Sequence, residues 1–329
     1  MTVLFHYHLA REFPDVITSF RDRIADKTVN LVVAESIEGL KQQLPGTGIL
    51  VSAPVDEDTL ALAPQLRLHV VPFAGVNRCP LEYYKNHDIV LANSHGNASA
   101  VAQRAVALLY AASGRVVEFD RDLRSGWWHR RADQVRPFDY WRDLAGSRIA
   151  VLGVGAVGTE VGRLLRPLAG ELVGYRRNSH KTVEPFDRIT RSLEDTVSGA
   201  DAVIVALPST PETIGALTAD HLSRTNQSVL INVGRADIVP EDSLFRCLTN
   251  GTLYAAGLDV WYRNPHPHWA DRMPGAYPWH TLSNVVLSPH AASHSEAGKR
   301  GQLSGAISVV EEFLTTGGVR AAIDTTAGY

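Results

Sequence analysis

Ten residues, Ile149-Ala150-Val151-Leu152-Gly153-Val154-Gly155-Ala156-Val157-Gly158, constrain this chain more than any others. An apolar, β-branched run enters a turn of three glycines and leaves it in residues that suit a helix. In such a strand–turn–helix unit the first glycine permits the tight turn. The second lets backbone approach a pyrophosphate, and the third lets the helix pack on the strand. The helix N-terminus then offers unpaired N–H groups to the anion.

The residue closing the next strand, about 20 positions on, is usually an acid that grips the 2′-hydroxyl of an NAD ribose. Here Val173-Gly174-Tyr175 leads to Arg176 and Arg177. A planar guanidinium donates paired hydrogen bonds to phosphate oxygens, which an acid would repel. The expected cofactor is therefore NADP(H) in preference to NAD(H). Its contacts are Gly153, Gly155, Ala156, Val157, Gly158, Arg176 and Arg177.

At 329 residues the chain exceeds the size that one hydrophobic core usually serves, so two domains are expected. A formal net charge of −3 gives no basic field for nucleic acid or anionic lipid. The only cysteines, Cys79 and Cys247, lie far apart and suggest reduced thiols. Met1–His8 reads as a first strand, not a leader, and no apolar run is long enough to span a bilayer. The expected location is the cytoplasm, with no membrane partner.

Short β-branched runs alternate with helical patterns throughout, which argues for parallel βαβ construction. Val29–Ala34, Gly48–Ala53, Leu68–Pro72 and Ile89–Ala92 read as strands of a first unit. A long helix is expected from about Ala98 to Arg115. A second unit then offers strands at Ile149–Leu152, Leu172–Tyr175, Ala202–Ala206, Val229–Asn232, Tyr254–Asp259 and Val285–Leu287. Because the glycine turn falls mid-chain, residues 98–291 are expected to form a dinucleotide domain inserted into a domain made of 1–97 and 292–329. The expected fold is α/β, with two doubly wound parallel-sheet domains: a Rossmann unit inserted into a smaller, flavodoxin-like substrate unit.

Ligands of an open α/β sheet sit outside the carboxyl ends of its strands. Arg235 follows the strand ending at Asn232-Val233, Asp259 closes Gly257-Leu258-Asp259, and His290 follows Val285–Leu287. Hydride transfer on a 2-oxo acid needs a cation to hold the carboxylate and a group to protonate the oxygen. Arg235 and His290 suit those two tasks.

Four motifs in order carry a resemblance: Gly153–Gly158, Ile231-Asn-Val233-Gly234-Arg235-Ala-Asp237-Ile-Val239, Gly257-Leu-Asp259-Val-Trp261 and Ser288-Pro-His290-Ala-Ala292. Over nearly its full length the chain resembles the D-isomer-specific 2-hydroxyacid dehydrogenases. Asn97 and Arg124-Ser-Gly-Trp127 add matching positions. The resemblance implies that Arg235 binds the substrate carboxylate and that His290 is the acid/base. It implies that Asp259 holds the nicotinamide amide and that Leu207, Pro208, Thr213 and Val233 line the cofactor. Phe73, Ala74, Gly75 and Val76 would form the substrate loop, with Asn97 as a further substrate contact. Two mobile domains would close over the cleft, and a homodimer would form through the nucleotide domain.

One departure stands out. Most of the family places an acid five residues beyond the position of Asp259, where it pairs with the histidine; here that place holds Asn264. An amide can orient the ring without supporting its positive charge. The expected activity is reduction of a small 2-oxo acid to its D-2-hydroxy acid by NADPH. Two alternatives stand beside it: oxidation of formate or a similar anion, since formate dehydrogenases also carry an amide there, and a nucleotide-sensing protein on the same scaffold. His290 and His294 have the spacing of a helical metal pair, but no HExxH accompanies them and no metal is expected.

Overall fold

The structure, a computed structural model, describes residues 1–25, 27–128, 140–177, 183–263 and 274–325. The chain divides into two compact units, Met1–Ala98 with His294–Tyr329, and Ser99–Ser293.

The first unit holds strands β1 (Thr2–His6), β2 (Asn30–Val33), β3 (Thr47–Ser52), β4 (Leu68–Val71) and β5 (Val90–Asn93). They pair in parallel in the order β2-β1-β3-β4-β5. Every residue of β3 is buried, which is why this strand reads as a continuous apolar run instead of an alternation. One face of the sheet, with Val3, Phe5, Ile49, Val51 and Val70, packs on Ile17 and Phe20 and on Ile307, Val310 and Phe313. Those last three lie on the helix Glu296–Thr316, whose apolar stripe Leu303, Ala306, Ile307, Val310 and Phe313 follows helical spacing. Ser295 caps that helix by accepting the Gly298 N–H, and Gly317 ends it at φ 78°. The opposite sheet face, with Leu4, Leu50, Val71 and Leu91, packs on Leu40, Leu60 and Tyr84.

The second unit holds β6 (Arg148–Leu152), β7 (Glu171–Tyr175), β8 (Arg188–Thr190), β9 (Ala202–Val205), β10 (Val229–Asn232), β11 (Ala255–Leu258) and β12 (Val285–Leu287). Their order is β12-β11-β10-β9-β6-β7-β8, again parallel. The order reverses between β6 and β9, and that switch point is where an open α/β sheet takes its ligand. Both units are thus doubly wound α/β, a Rossmann unit set into a flavodoxin-like one, as the sequence predicts.

The helix from Ala98 stops at Ser113, because Arg115 adopts a left-handed φ of 51° before a separate helix, Val116–Arg124, begins. The short strand β8 has no counterpart in the sequence reading, since three residues opening on an arginine carry too little pattern. Cys79 and Cys247 are free and buried. Among the described residues no helix is long and apolar enough to cross a membrane, and no cluster of three potential metal ligands occurs.

Candidate active site

The glycine turn links β6 to the helix Ala156–Leu165. Gly153 has φ 104°, and a Cβ there would lie 2.7 Å from the Ala206 carbonyl oxygen. A Cβ on Gly158 would sit 1.9 Å from the Gly153 oxygen, so the helix can approach the turn only without a side chain there. Gly155, the helix N-cap, differs from both: a Cβ there would meet nothing within 4 Å. That open space, beside a helix start with no side-chain cap, fits a dinucleotide pyrophosphate.

The turn is also tied to the end of β7. Gly153 and Val154 both donate their N–H groups to the Tyr175 carbonyl, at 3.1 and 3.2 Å. Arg176 therefore begins immediately beyond the cradle, its own N–H donating to Thr190. The Arg176 side chain is exposed, whereas Arg177 pairs with Glu212 at 3.3 Å. On the other side, Thr213 Oγ1 donates to the Pro208 carbonyl at 2.6 Å, and the Thr210 N–H donates to that hydroxyl at 2.8 Å. These bonds shape the segment after β9, where Leu207 is buried. Gly234 packs against the same segment, since a Cβ on it would lie 2.7 Å from the Leu207 oxygen. Val233, at 9% exposure, closes this rim.

Arg235, Asp259 and His290 follow three neighbouring strands at the carboxyl edge of this sheet, and the first two lie near enough for their charges to act on the His290 ring. His290 is exposed and has φ 56°, a left-handed conformation that costs a non-glycine residue about 1 kcal/mol or more. Asp259 holds it there. One carboxylate oxygen accepts the Ala291 N–H at 2.9 Å and the Ser288 hydroxyl, and the other accepts the Ala292 N–H at 2.9 Å. Trp261 Nε1 adds a bond to the Ser288 carbonyl at 2.8 Å. Asp259 is fully buried, so these bonds replace the water that its charge would otherwise require.

Partial desolvation lowers the His290 pKa below its ordinary value; Asp259 opposes that shift and Arg235 adds to it. Arg235 is itself lowered by burial, with Asp237 opposing. Its Nη1 donates to the Gly234 carbonyl at 2.7 Å, and Asn232 Nδ2 donates to the Arg235 carbonyl at 2.9 Å. The result is a half-buried cation on a fixed backbone near an imidazole.

In the first unit, Phe73, Ala74, Gly75 and Val76 follow β4. Asn93 Nδ2 donates to the Ala74 carbonyl at 2.9 Å, and Val76 is buried. Asn97 is 8% exposed, immediately before the helix Ala98–Ser113. Asn264 lies outside the described residues. Trp279 is fully buried among Phe245, Trp261 and Tyr262, so it is a core residue. His290 and His294 do not share a helix, because the left-handed turn at His290 interrupts the chain before Ser295. The sequence reading gave Ser288 no role of its own; a small hydroxyl two residues before the histidine was the available sign.

A glycine cradle, an uncapped helix start and a histidine beside an arginine at one sheet edge fit the site of a dinucleotide-dependent oxidoreductase. Residues 106–292 match the D-isomer specific 2-hydroxyacid dehydrogenase, NAD binding domain, and the chain belongs to that family. A glyoxylate reductase of Aeropyrum pernix is 30% identical over 249 residues, covering 74% of this chain and 72% of that one. The NADPH-dependent glyoxylate/hydroxypyruvate reductase of Sinorhizobium meliloti has TM-score 0.75 at 23% identity, covering 99% of this chain and 98% of that one. An NAD-dependent formate dehydrogenase of Staphylococcus aureus has TM-score 0.69 at 24% identity, covering 95% of each chain. At these identities the two solved structures speak to the fold alone.

Proposed function

We propose that the protein reduces a small 2-oxo acid to its D-2-hydroxy acid with NADPH. The observation that supports this most is the grouping of Arg235, Asp259 and His290 at the sheet edge that carries the glycine cradle. Arg235 would hold the substrate carboxylate in its guanidinium fork. His290 would protonate the carbonyl oxygen as negative charge develops on it. A bound nicotinamide cofactor supplies the hydride. Asp259 would keep the imidazole aimed, and Asn264 would orient its ring. Ala74–Val76 would offer backbone N–H groups to the carboxylate, with Phe73 and Asn97 beside them.

The NADPH preference rests on Arg176, an exposed cation one residue past the strand that anchors the glycine turn. Arg177 is a weaker candidate, because Glu212 already engages it. A homodimer through the second unit is proposed from the exposed apolar side chains Tyr110, Val116, Val117 and Leu123 on consecutive helices. Light scattering across a dilution series tests that point.

Purified protein with NADPH and glyoxylate, hydroxypyruvate, pyruvate or phenylpyruvate should consume the cofactor. Turnover of formate with NADP, or tight cofactor binding with no turnover of any acid, would overturn the reading.

A further inference from the structure

Beneath the loop that follows β4 runs a buried polar chain. His69, on β4 itself, is fully buried. Its Nε2 lies 2.9 Å from Ser52 Oγ and its Nδ1 lies 2.6 Å from Tyr84 Oη. Tyr84 is fully buried on the helix Leu81–Asn86, which follows the loop, and the Cys79 thiol sits beside its hydroxyl at the loop's end.

The proton positions follow from counting donors. Ser52 has one hydroxyl hydrogen and donates it to the Ala53 carbonyl at 2.7 Å. Toward His69 it can therefore only accept, so Nε2 carries the imidazole hydrogen. Desolvation lowers the His69 pKa to about 4, which keeps the ring neutral and leaves Nδ1 as an acceptor. Tyr84 must then donate to Nδ1. Burial raises the tyrosine pKa, so that hydrogen stays in place. This arrangement satisfies every group of the chain.

We infer that Tyr84 and His69 are positioning residues for the substrate, because their bond ties the strand before the Phe73–Val76 loop to the helix after it. The inference rests on the proposal that this loop meets the carboxylate. Two further ties sit on the same segment: the Cys79 N–H donates to the Val76 carbonyl at 2.8 Å, and Val76 shares a core cluster with Cys79 and Tyr84. With both ends clamped, the backbone at Ala74 and Gly75 is presented in one conformation instead of many. A binding loop that is ordered beforehand loses less entropy when its ligand arrives.

The test compares full-length variants. Tyr84→Phe removes one hydroxyl at constant shape and leaves Nδ1 without a donor. KM for glyoxylate should rise about tenfold, the scale of one lost buried hydrogen bond carried into binding, while the Kd for NADPH stays unchanged. Amide exchange should accelerate at residues 72–80 but not in β1. His69→Gln, whose amide can donate to Ser52 and accept from Tyr84, should keep KM within about twofold. Should Tyr84→Phe fail to fold, His69→Leu serves as the reporter: a folded His69→Leu that leaves both KM and exchange at residues 72–80 unchanged overturns the clamp. Ala74→Pro deletes a loop N–H and tests the loop directly. If it raises KM and Tyr84→Phe leaves both KM and exchange unchanged, the clamp is overturned while the loop's role stands. If Ala74→Pro leaves KM unchanged, the loop's role falls and the inference with it.

Discussion

Two loops at the carboxyl edge of the second sheet reach unusual backbone conformations by opposite means. The turn after β6 uses glycine: Gly153 takes φ 104° and Gly158 admits a close contact, with no side chain to restrain. The loop after β12 places φ 56° on His290 and holds it with a buried carboxylate. The difference follows from what each loop offers. A cradle for phosphate presents backbone N–H groups, so side chains can be dispensed with. On the proposed roles, a proton carrier must keep its side chain, so the conformational cost at His290 falls on a neighbour, Asp259.

The strongest way to break this comparison is at Gly158. Gly158→Ala would place a Cβ 1.9 Å from the Gly153 oxygen and should cost more than about 4 kcal/mol, read as loss of folded protein in denaturant titrations. Gly155→Ala, which meets open space, should change stability by less than about 1 kcal/mol. An equal penalty at both would show that the turn is not divided between packing and presentation.

His290→Gly separates conformation from chemistry. Turnover should fall by about 10²–10⁴, the range of general acid catalysis, while unfolding shows a gain of about 1 kcal/mol from relieved left-handed strain. A loss of stability there would mean that the loop is unstrained. Asp259→Ala should act in the opposite sense, costing stability by about 1–3 kcal/mol as two N–H groups and a hydroxyl lose their acceptor. It should lower kcat as well, because the loop that carries His290 loses three of the bonds that hold it.

Smaller effects sharpen the cofactor side. Arg176→Ala should reduce the preference for NADPH over NADH about tenfold, the scale of one screened charge-assisted bond, measured as a ratio of kcat/KM values. The last prediction is a direction. Reduction needs imidazolium, so kcat/KM for the oxo acid should fall as pH rises through the His290 pKa. Partial desolvation of the ring lowers that pKa, which places the fall below the ordinary histidine value near 6.5. A fall well above that value would show that negative charge dominates the site.

Much of this was legible in the sequence because it depends on spacing. Three glycines at fixed intervals after an apolar run specify the turn and its helix, and the β-branched runs mark most strands. The parts that escaped depend on partners distant in sequence. Asp259 and Ser288 are 29 residues apart, and nothing in either neighbourhood announces that they share a hydrogen bond. No local rule puts a histidine at positive φ, and none breaks a helix at Arg115 beyond the hint of Gly114. The His69 chain likewise joins three separate elements whose polar residues look unremarkable one at a time.

The discontinuity of the first unit has a consequence for biosynthesis. Its sheet comes from the first 98 residues, but Ile307, Val310 and Phe313, which cover one face, belong to the helix Glu296–Thr316. A ribosome adding about 5–20 residues per second needs roughly 10–40 s to make the intervening stretch. The inserted unit can therefore finish folding first, while the earlier strands wait with an apolar face uncovered. In the nascent chain that face stays exposed to solvent until the final helix emerges.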